Sequence, residues 1–333
     1  LSILFSRIDR GVTAAGKRSI GRLPVSALGE NCYSSDMAKP AAPALDRSTP
    51  ATPVARVIAR DADWCLSEFT CRAGPQDRRF EEQHVHATIA AVVEGSFQYR
   101  CDSGRALLYP GAVMLGNPGA CFECGHEHSH GDRCVSLQFT PALFEEIAAS
   151  MAGSARFRFT GAMLPALKPL APALAGLEAL AANAPGTSPD RMAAEELALQ
   201  VAENVVGAAA DGSARSMAPS AADERRISRV LHHIEAHAAE PLDLAGLAAI
   251  ACMSKYHFLR CFRRIVGLTP HQYLLGLRLR RAALRLCRSS APVSAIAYDA
   301  GFGDLSTFNA SFRACFGTSP GIFRRTYGRL NAT

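Results

Sequence analysis

Apolar residues recur along this chain with two different periods, and the change from one to the other divides it. Between Val54 and about Phe139, short apolar runs such as Ala87–Val93 and Arg105–Tyr109 alternate with turn signals at Glu94-Gly95, Asp102-Ser103-Gly104, Pro110-Gly111 and Asn117-Pro118-Gly119. Strands spaced roughly every 8–12 residues with Gly/Pro turns predict a small antiparallel barrel or sandwich. From Pro141 to Ala210 the chain turns alanine-rich and helical. Within Asp190–Ala210, Glu196, Gln200, Glu203 and Asn204 share one arc, and Met192, Leu197, Leu199, Val201, Val205 and Val206 take the broad remainder. An apolar arc wider than the usual ~100° stripe predicts a helix that meets its own domain and a second surface, either elsewhere in the chain or on a second copy.

From Asp223 onward the helical period is sharp. Ile227, Val230, Leu231 and Ile234 follow i, i+3, i+4, i+7 and mark a first helix; Leu242–Ala251 forms a short second one. Ala251-Cys252-Met253 supplies a turn and Ser254 an N-cap. The next helix buries Phe258, Phe262, Ile265 and Val266, leaving Lys255, Tyr256, Arg260, Arg263 and Arg264 outward, and stops at Gly267. The arrangement then repeats. Val293–Ala300 is a short helix, Gly301-Phe302-Gly303 a turn and Asp304 a cap. Phe308, Phe312, Cys315 and Phe316 lie inside, with Thr307, Asn309, Ala310 and Arg313 outside, up to Gly317. Between the units, Pro270–Arg288 reads as one helix about 28 Å long. That approaches the roughly 34 Å of one DNA turn, so two recognition helices on this rod can enter successive major grooves.

Composition sharpens this picture. The 333 residues are 48% hydrophobic and 20% charged, enough for two cores, and no apolar run approaches the roughly 20 residues of a membrane span. The net charge of +6 divides into +9 for Asp223–Thr333 and −3 for the rest, so the basic charge sits on the helical third and points to nucleic acid. Eleven cysteines without regular spacing suggest reduced thiols and a cytoplasmic home. The expected architecture is α+β in two domains. Residues 1–55 form a disordered leader, with Met37 as an alternative start and a basic first 22 residues that resemble a transit peptide. Residues 56–210 form the barrel with its helices, 211–222 a linker and 223–333 the all-α domain.

The segment MSKYHFLRCFRRIVGLTPHQYLLGLRLRRAALRL and the later VSAIAYDAGFGDLSTFNASFRACFGTSPGIFRR resemble the AraC/XylS family of bacterial transcription regulators. In the second, Ile296, Ala297, Gly301, Phe302, Ser306, Phe308, Phe312, Gly317, Pro320 and Arg324 carry the likeness. The resemblance implies sequence-specific binding to double-stranded DNA, control of transcription and contact with RNA polymerase. It places base contacts on Lys255, Tyr256 and Arg260, and on Leu305, Ser306, Thr307, Asn309 and Ala310. Leu305 and Ala310 stand where polar readers are frequent, so the first unit is expected to carry more of the readout. Arg263, Arg264 and Arg313 suit phosphates. Arg278, Arg281, Arg285 and Arg288 form a stripe that reads as a solvated face, a phosphate contact or, at Arg278, a structural ion pair.

The barrel, with His84-Val85-His86, Val92-Val93-Glu94-Gly95 and Pro110-Gly111, resembles the cupin-type sensor domain of AraC relatives. The Glu that closely follows the His pair in metal-binding cupins is missing. Instead the segment from Cys121 to Cys134 holds Cys121, Cys124, His126, His128, His130 and Cys134. Cys124, His126, His128 and His130 are spaced by two, so one extended strand aims them to one side. Thiolate and imidazole suit zinc or another transition metal, with His84 and His86 completing or competing for the site. A thiol redox sensor and a solvated polar hairpin are the other two readings. The effector is then a small molecule, a metal or an oxidant. The functional expectation is a DNA-binding regulator controlled through its N-terminal domain; the alternative is a cupin metalloenzyme fused to a DNA-binding module.

Overall fold

Seven consecutive residues from Ala87 to Val93 are buried, which a strand manages only with both faces covered. Ala90 and Val92 point to the inside of the barrel with Phe97, Tyr99, Phe122 and Cys134. Ile89, Ala91 and Val93 point the other way, onto Phe144, Ile147, Leu177 and Val201. A computed structural model describes residues 53–126, 129–154, 156–182, 191–213 and 220–328. The expectations for residues 1–52, with Met37 and the leader, and for half of the linker lie outside these.

The predicted barrel is a pair of antiparallel sheets. β1 (Val54–Arg60), β2 (Trp64–Cys71), β9 (Asp132–Phe139), β4 (Ala87–Gly95), β7 (Val113–Gly116) and β10 (Met163–Leu164) form one, in that order. β3 (Phe80–Gln83), β8 (Cys121–Gly125), β5 (Phe97–Cys101) and β6 (Gly104–Leu108) form the other. The first strand begins at Val54, two residues before the expected domain boundary. β10 was not visible as a strand, because two residues carry no alternation to read; it pairs Met163 and Leu164 with Met114 and Val113.

The alanine-rich segment gives α1 (Pro141–Ala152), α2 (Ala171–Ala181) and α3 (Arg191–Ala210). The broad apolar arc of α3 is spent within the molecule: Leu197, Val201, Val205 and Val206 are buried with the outer face of the large sheet, while Met192 is 68% exposed.

The C-terminal part contains α4 (Ala221–Ala236), α5 (Leu244–Ile250), α6 (Lys255–Val266), α7 (Pro270–Arg288), α8 (Val293–Asp299), α9 (Leu305–Phe316) and α10 (Pro320–Tyr327). α5 starts two residues later than Leu242, because Asp243 takes the cap and accepts from Ala245 and Gly246 N–H. The expected boundaries of α7 hold: Thr269 and Gln272 form a reciprocal capping box, with Pro270 in the first turn. No helix among the described residues is long and apolar enough to cross a membrane.

Two separate cores were expected; the structure joins them. The inside of the barrel is continuous with the first helix-turn-helix unit through Leu107 and Tyr109, packed with Ile227, Val266 and Tyr273. The second unit packs on α2 instead, through Ala175 and Ala179.

Candidate functional site

Both recognition helices are built as their sequences require. Ser254 accepts from His257 N–H at the start of α6, and Asp304 from Thr307 N–H at the start of α9. Each ends on a left-handed glycine, Gly267 and Gly317. Phe258, Phe262, Phe308 and Phe312 are fully buried beneath them. On the outer face of α6, Lys255, Arg260 and Arg263 are exposed; on α9 so are Ser306, Thr307, Asn309, Ala310 and Arg313, with Leu305 half-buried. The side chain of Tyr256 lies outside the described residues.

Several of the arginines have partners within the chain. Arg264, expected at a phosphate, pairs with Asp223 at 3.1 Å at the start of α4, although it remains 58% exposed. Among the described residues, Arg278 makes no ion pair with a carboxylate. Its guanidinium donates to the carbonyls of Ala238 at 2.6 Å and Glu240 at 2.8 Å, just beyond the end of α4. Arg281 donates to Glu235 O at 2.7 Å, and Arg285 pairs with Asp299 at 2.7 Å. Most of the stripe is therefore scaffolding, because carbonyls left over at a helix end attract a cation. Arg288, the last of the four, is exposed.

The backs of the two units are held by the N-terminal part. Tyr109 donates to Val266 O at the end of α6 and meets the Tyr273 ring edge-on, with centroids 5.5 Å apart. Arg105 pairs with buried Glu224 of α4 at 2.5 Å. Arg280 of α7 lies 3.8 Å from Glu178 of α2 and beside Gly111, where a Cβ would stand 2.1 Å from its Nη1. Burial pushes Glu178 up to about 7, against the pull of Arg280. Glu235 on α4 is likewise pushed up to about 7 by burial, opposed by Arg280, Arg281, the Gly95 N–H and Tyr273. A cavity of about 340 Å³ opens between these parts, its walls including Pro110, Ala166, Leu174, Leu277 and Phe316, with Gln272 and Arg280 as polar groups.

The expected cysteine and histidine set is divided. His84 stacks on Phe122 with centroids 4.2 Å apart, and its Nε2 lies 2.9 Å from Tyr99 Oη. Burial lowers its pKa to about 4, so its ring is neutral near pH 7. β8 ends at Gly125, so the two-residue alternation does not run on to His130, which is exposed; His128 lies outside the described residues. Cys121 is exposed on β8. His126 turns inward and meets two residues that the sequence did not single out, Cys71 and Asp132. The ligand atoms of these three lie within 4.8 Å of one another. Cys134 joins them, its Sγ 3.3 Å from Asp132 Oδ1. Neither His84 nor His86 belongs to a group of three potential ligands among the described residues.

Residues 247–326 match the helix-turn-helix domain family, and residues 66–202 match the AraC-like ligand binding domain. The uncharacterized HTH-type transcriptional regulator YbfI of Bacillus subtilis is 26% identical over 67% of this chain and 78% of its own. The probable transcriptional regulator LumQ of Photobacterium leiognathi is 32% identical, over 29% of this chain and 42% of its own. Among solved structures, the DNA-binding domain of AdpA, a global transcriptional factor in complex with a target DNA, is 30% identical over 32% of this chain and 97% of that one, with a TM-score of 0.31. An AraC-like ligand-binding domain followed by a capped pair of helix-turn-helix units makes this chain a DNA-binding transcription regulator of the AraC family.

Proposed function

We propose that the chain reads an operator with α6 and α9 in successive major grooves, and that a signal received by the N-terminal part sets how the two helices are presented. The observation that carries this is the pair of outward faces, each on a capped helix, joined by the 19-residue α7 within the basic third of the chain. Lys255 and Arg260 read bases in the first unit, and Ser306, Thr307 and Asn309 contribute fewer contacts in the second. Arg263 and Arg313 neutralise phosphates. A small-molecule effector takes the cavity between α7, α9 and α2, where unequal affinity for docked and undocked forms shifts their balance. Binding, without turnover, is the whole of the proposed activity. It takes place in the cytoplasm, with RNA polymerase as the protein partner. The His84 and His86 pair favours no metalloenzyme, since the His84 ring is committed to Phe122 and Tyr99. Pairing of two copies is part of the same reading and is checked by sedimentation velocity.

Selection from a random duplex library, followed by fluorescence anisotropy at several salt concentrations, tests the roles. Arg260→Ala should lose about 10-fold or more in discrimination at one or two base pairs, as removal of a bidentate contact costs ~1–3 kcal/mol. Arg263→Ala should weaken all duplexes alike and reduce the salt slope by about one. Equal effects of both variants on every sequence would refute this division of labour.

A further inference from the structure

Cys71, His126, Asp132 and Cys134 come together at one end of the barrel for reasons that DNA binding does not use. Cys71 and Asp132 are directly opposed in the β2/β9 ladder, so their side chains share a face; Cys134, two residues on, shares it too. That face is the inner one, because Cys134 also lies opposite Val92 and is buried with it. From the other sheet, β8 delivers Cys124, and the turn after Gly125 delivers His126. Asp132 stands between the donors: one carboxylate oxygen is 2.7 Å from His126 Nε2 and the other accepts from Cys134 Sγ at 3.3 Å. Cys71, His126 and Cys134 are buried.

We propose that Cys71, His126 and Asp132 form a three-ligand site for one zinc-class divalent cation, with Cys134 beside it as a hydrogen-bond donor to Asp132. Bonds of about 2.0–2.3 Å put tetrahedral ligand atoms roughly 3.3–3.8 Å apart; the ligand atoms of Cys71, His126 and Asp132 lie within 4.8 Å of one another, and the 2.7 Å His126–Asp132 contact opens to admit the cation. A thiol, an imidazole and a carboxylate favour zinc or cobalt over magnesium or calcium, which take oxygen donors. A divalent cation takes the place of the thiol proton, so binding releases protons and strengthens as pH rises.

The site has a route to the DNA-binding part. The turn between His126 and Asp132 also carries Ser129, whose hydroxyl donates to Ser96 O, and His130. Ser96 in turn lies, hydroxyl to hydroxyl, 3.5 Å from Ser228 on α4, the first helix of the DNA-binding part.

The test is a cobalt titration of reduced, tag-free, full-length protein, with folding followed by circular dichroism. One Co²⁺ per chain, a thiolate-to-cobalt charge-transfer band and displacement by Zn²⁺ are expected, with proton release on binding. Cys71→Ser and Asp132→Asn should each weaken Co²⁺ at least 30-fold while remaining folded; Cys121→Ser, outside the site, should bind as wild type. A reduced wild type without the band, or a folded Cys71→Ser/His126→Ala variant that binds equally, overturns the proposal. Operator affinity is measured on the same samples: protein that binds DNA but no cobalt refutes the metal site and leaves the DNA reading intact.

Discussion

Cys252 has φ of 51°, the only non-glycine with positive φ among the described residues, and it occupies the turn between α5 and α6. The matching place between α8 and α9 holds Gly301, at φ 89°. The two units thus share one left-handed turn, filled in one case by a residue that strains there by roughly 1–2 kcal/mol. Relief of that strain in Cys252→Gly is offset by about 0.5–1 kcal/mol of added chain entropy, so its melting temperature should move little. Gly301→Ala is different, because the new Cβ would stand 2.7 Å from the Ala239 carbonyl oxygen. It should lose about 2 kcal/mol or more in a denaturant titration. The sequence shows the equivalence through Ala251-Cys252-Met253 and Ala300-Gly301-Phe302. It does not show Ala239, whose closeness depends on how α4 ends. Cys71 and Asp132 were illegible for a similar reason. They are 61 positions apart, and only the β2/β9 register makes them neighbours.

At the scale of elements, α7 was readable from its own residues, since the Thr269 cap, Pro270 and the apolar spacing are all local. What its arginines do was not, because the carbonyls they serve belong to α4 and the turn after it, 38 to 46 residues away. Arg278→Ala removes two hydrogen bonds from a charged group and should destabilise the chain by about 2 kcal/mol. Operator affinity of the folded fraction should stay within about twofold, with the salt slope unchanged. A loss of one unit of slope would return Arg278 to the phosphates. β8 shows the opposite limit of pattern reading. Its alternation stops at Gly125, before His126, and beyond that point spacing by two has no structural meaning.

Across the whole molecule, Arg280 links three elements: α7, which carries it, α2 through Glu178 and the β6/β7 turn through Gly111. The two carboxyls it acts on, Glu178 and Glu235, have folded values raised to about 7 from 4.5. Their neutral forms therefore favour the docked state. That contribution is complete below about pH 4.5 and is lost as pH rises through 7. It is on the order of 3 kcal/mol for each group. Glu178→Gln should raise the melting temperature at pH 8 and flatten its fall between pH 5 and 8; an unchanged profile would show that Glu178 ionises freely.

The first helix-turn-helix unit is anchored to the barrel and the second to α2, while Lys255, Arg263, Thr307 and Asn309 stay exposed. The consequence of this docking is a matter of ruler length. Two readers clamped to one frame meet their half-sites at a preset phase of the double helix and give up little orientational freedom on landing. Such a frame penalises an operator with one inserted base pair more heavily than a mismatched base, and any signal that loosens an anchor is felt first as tolerance of spacing.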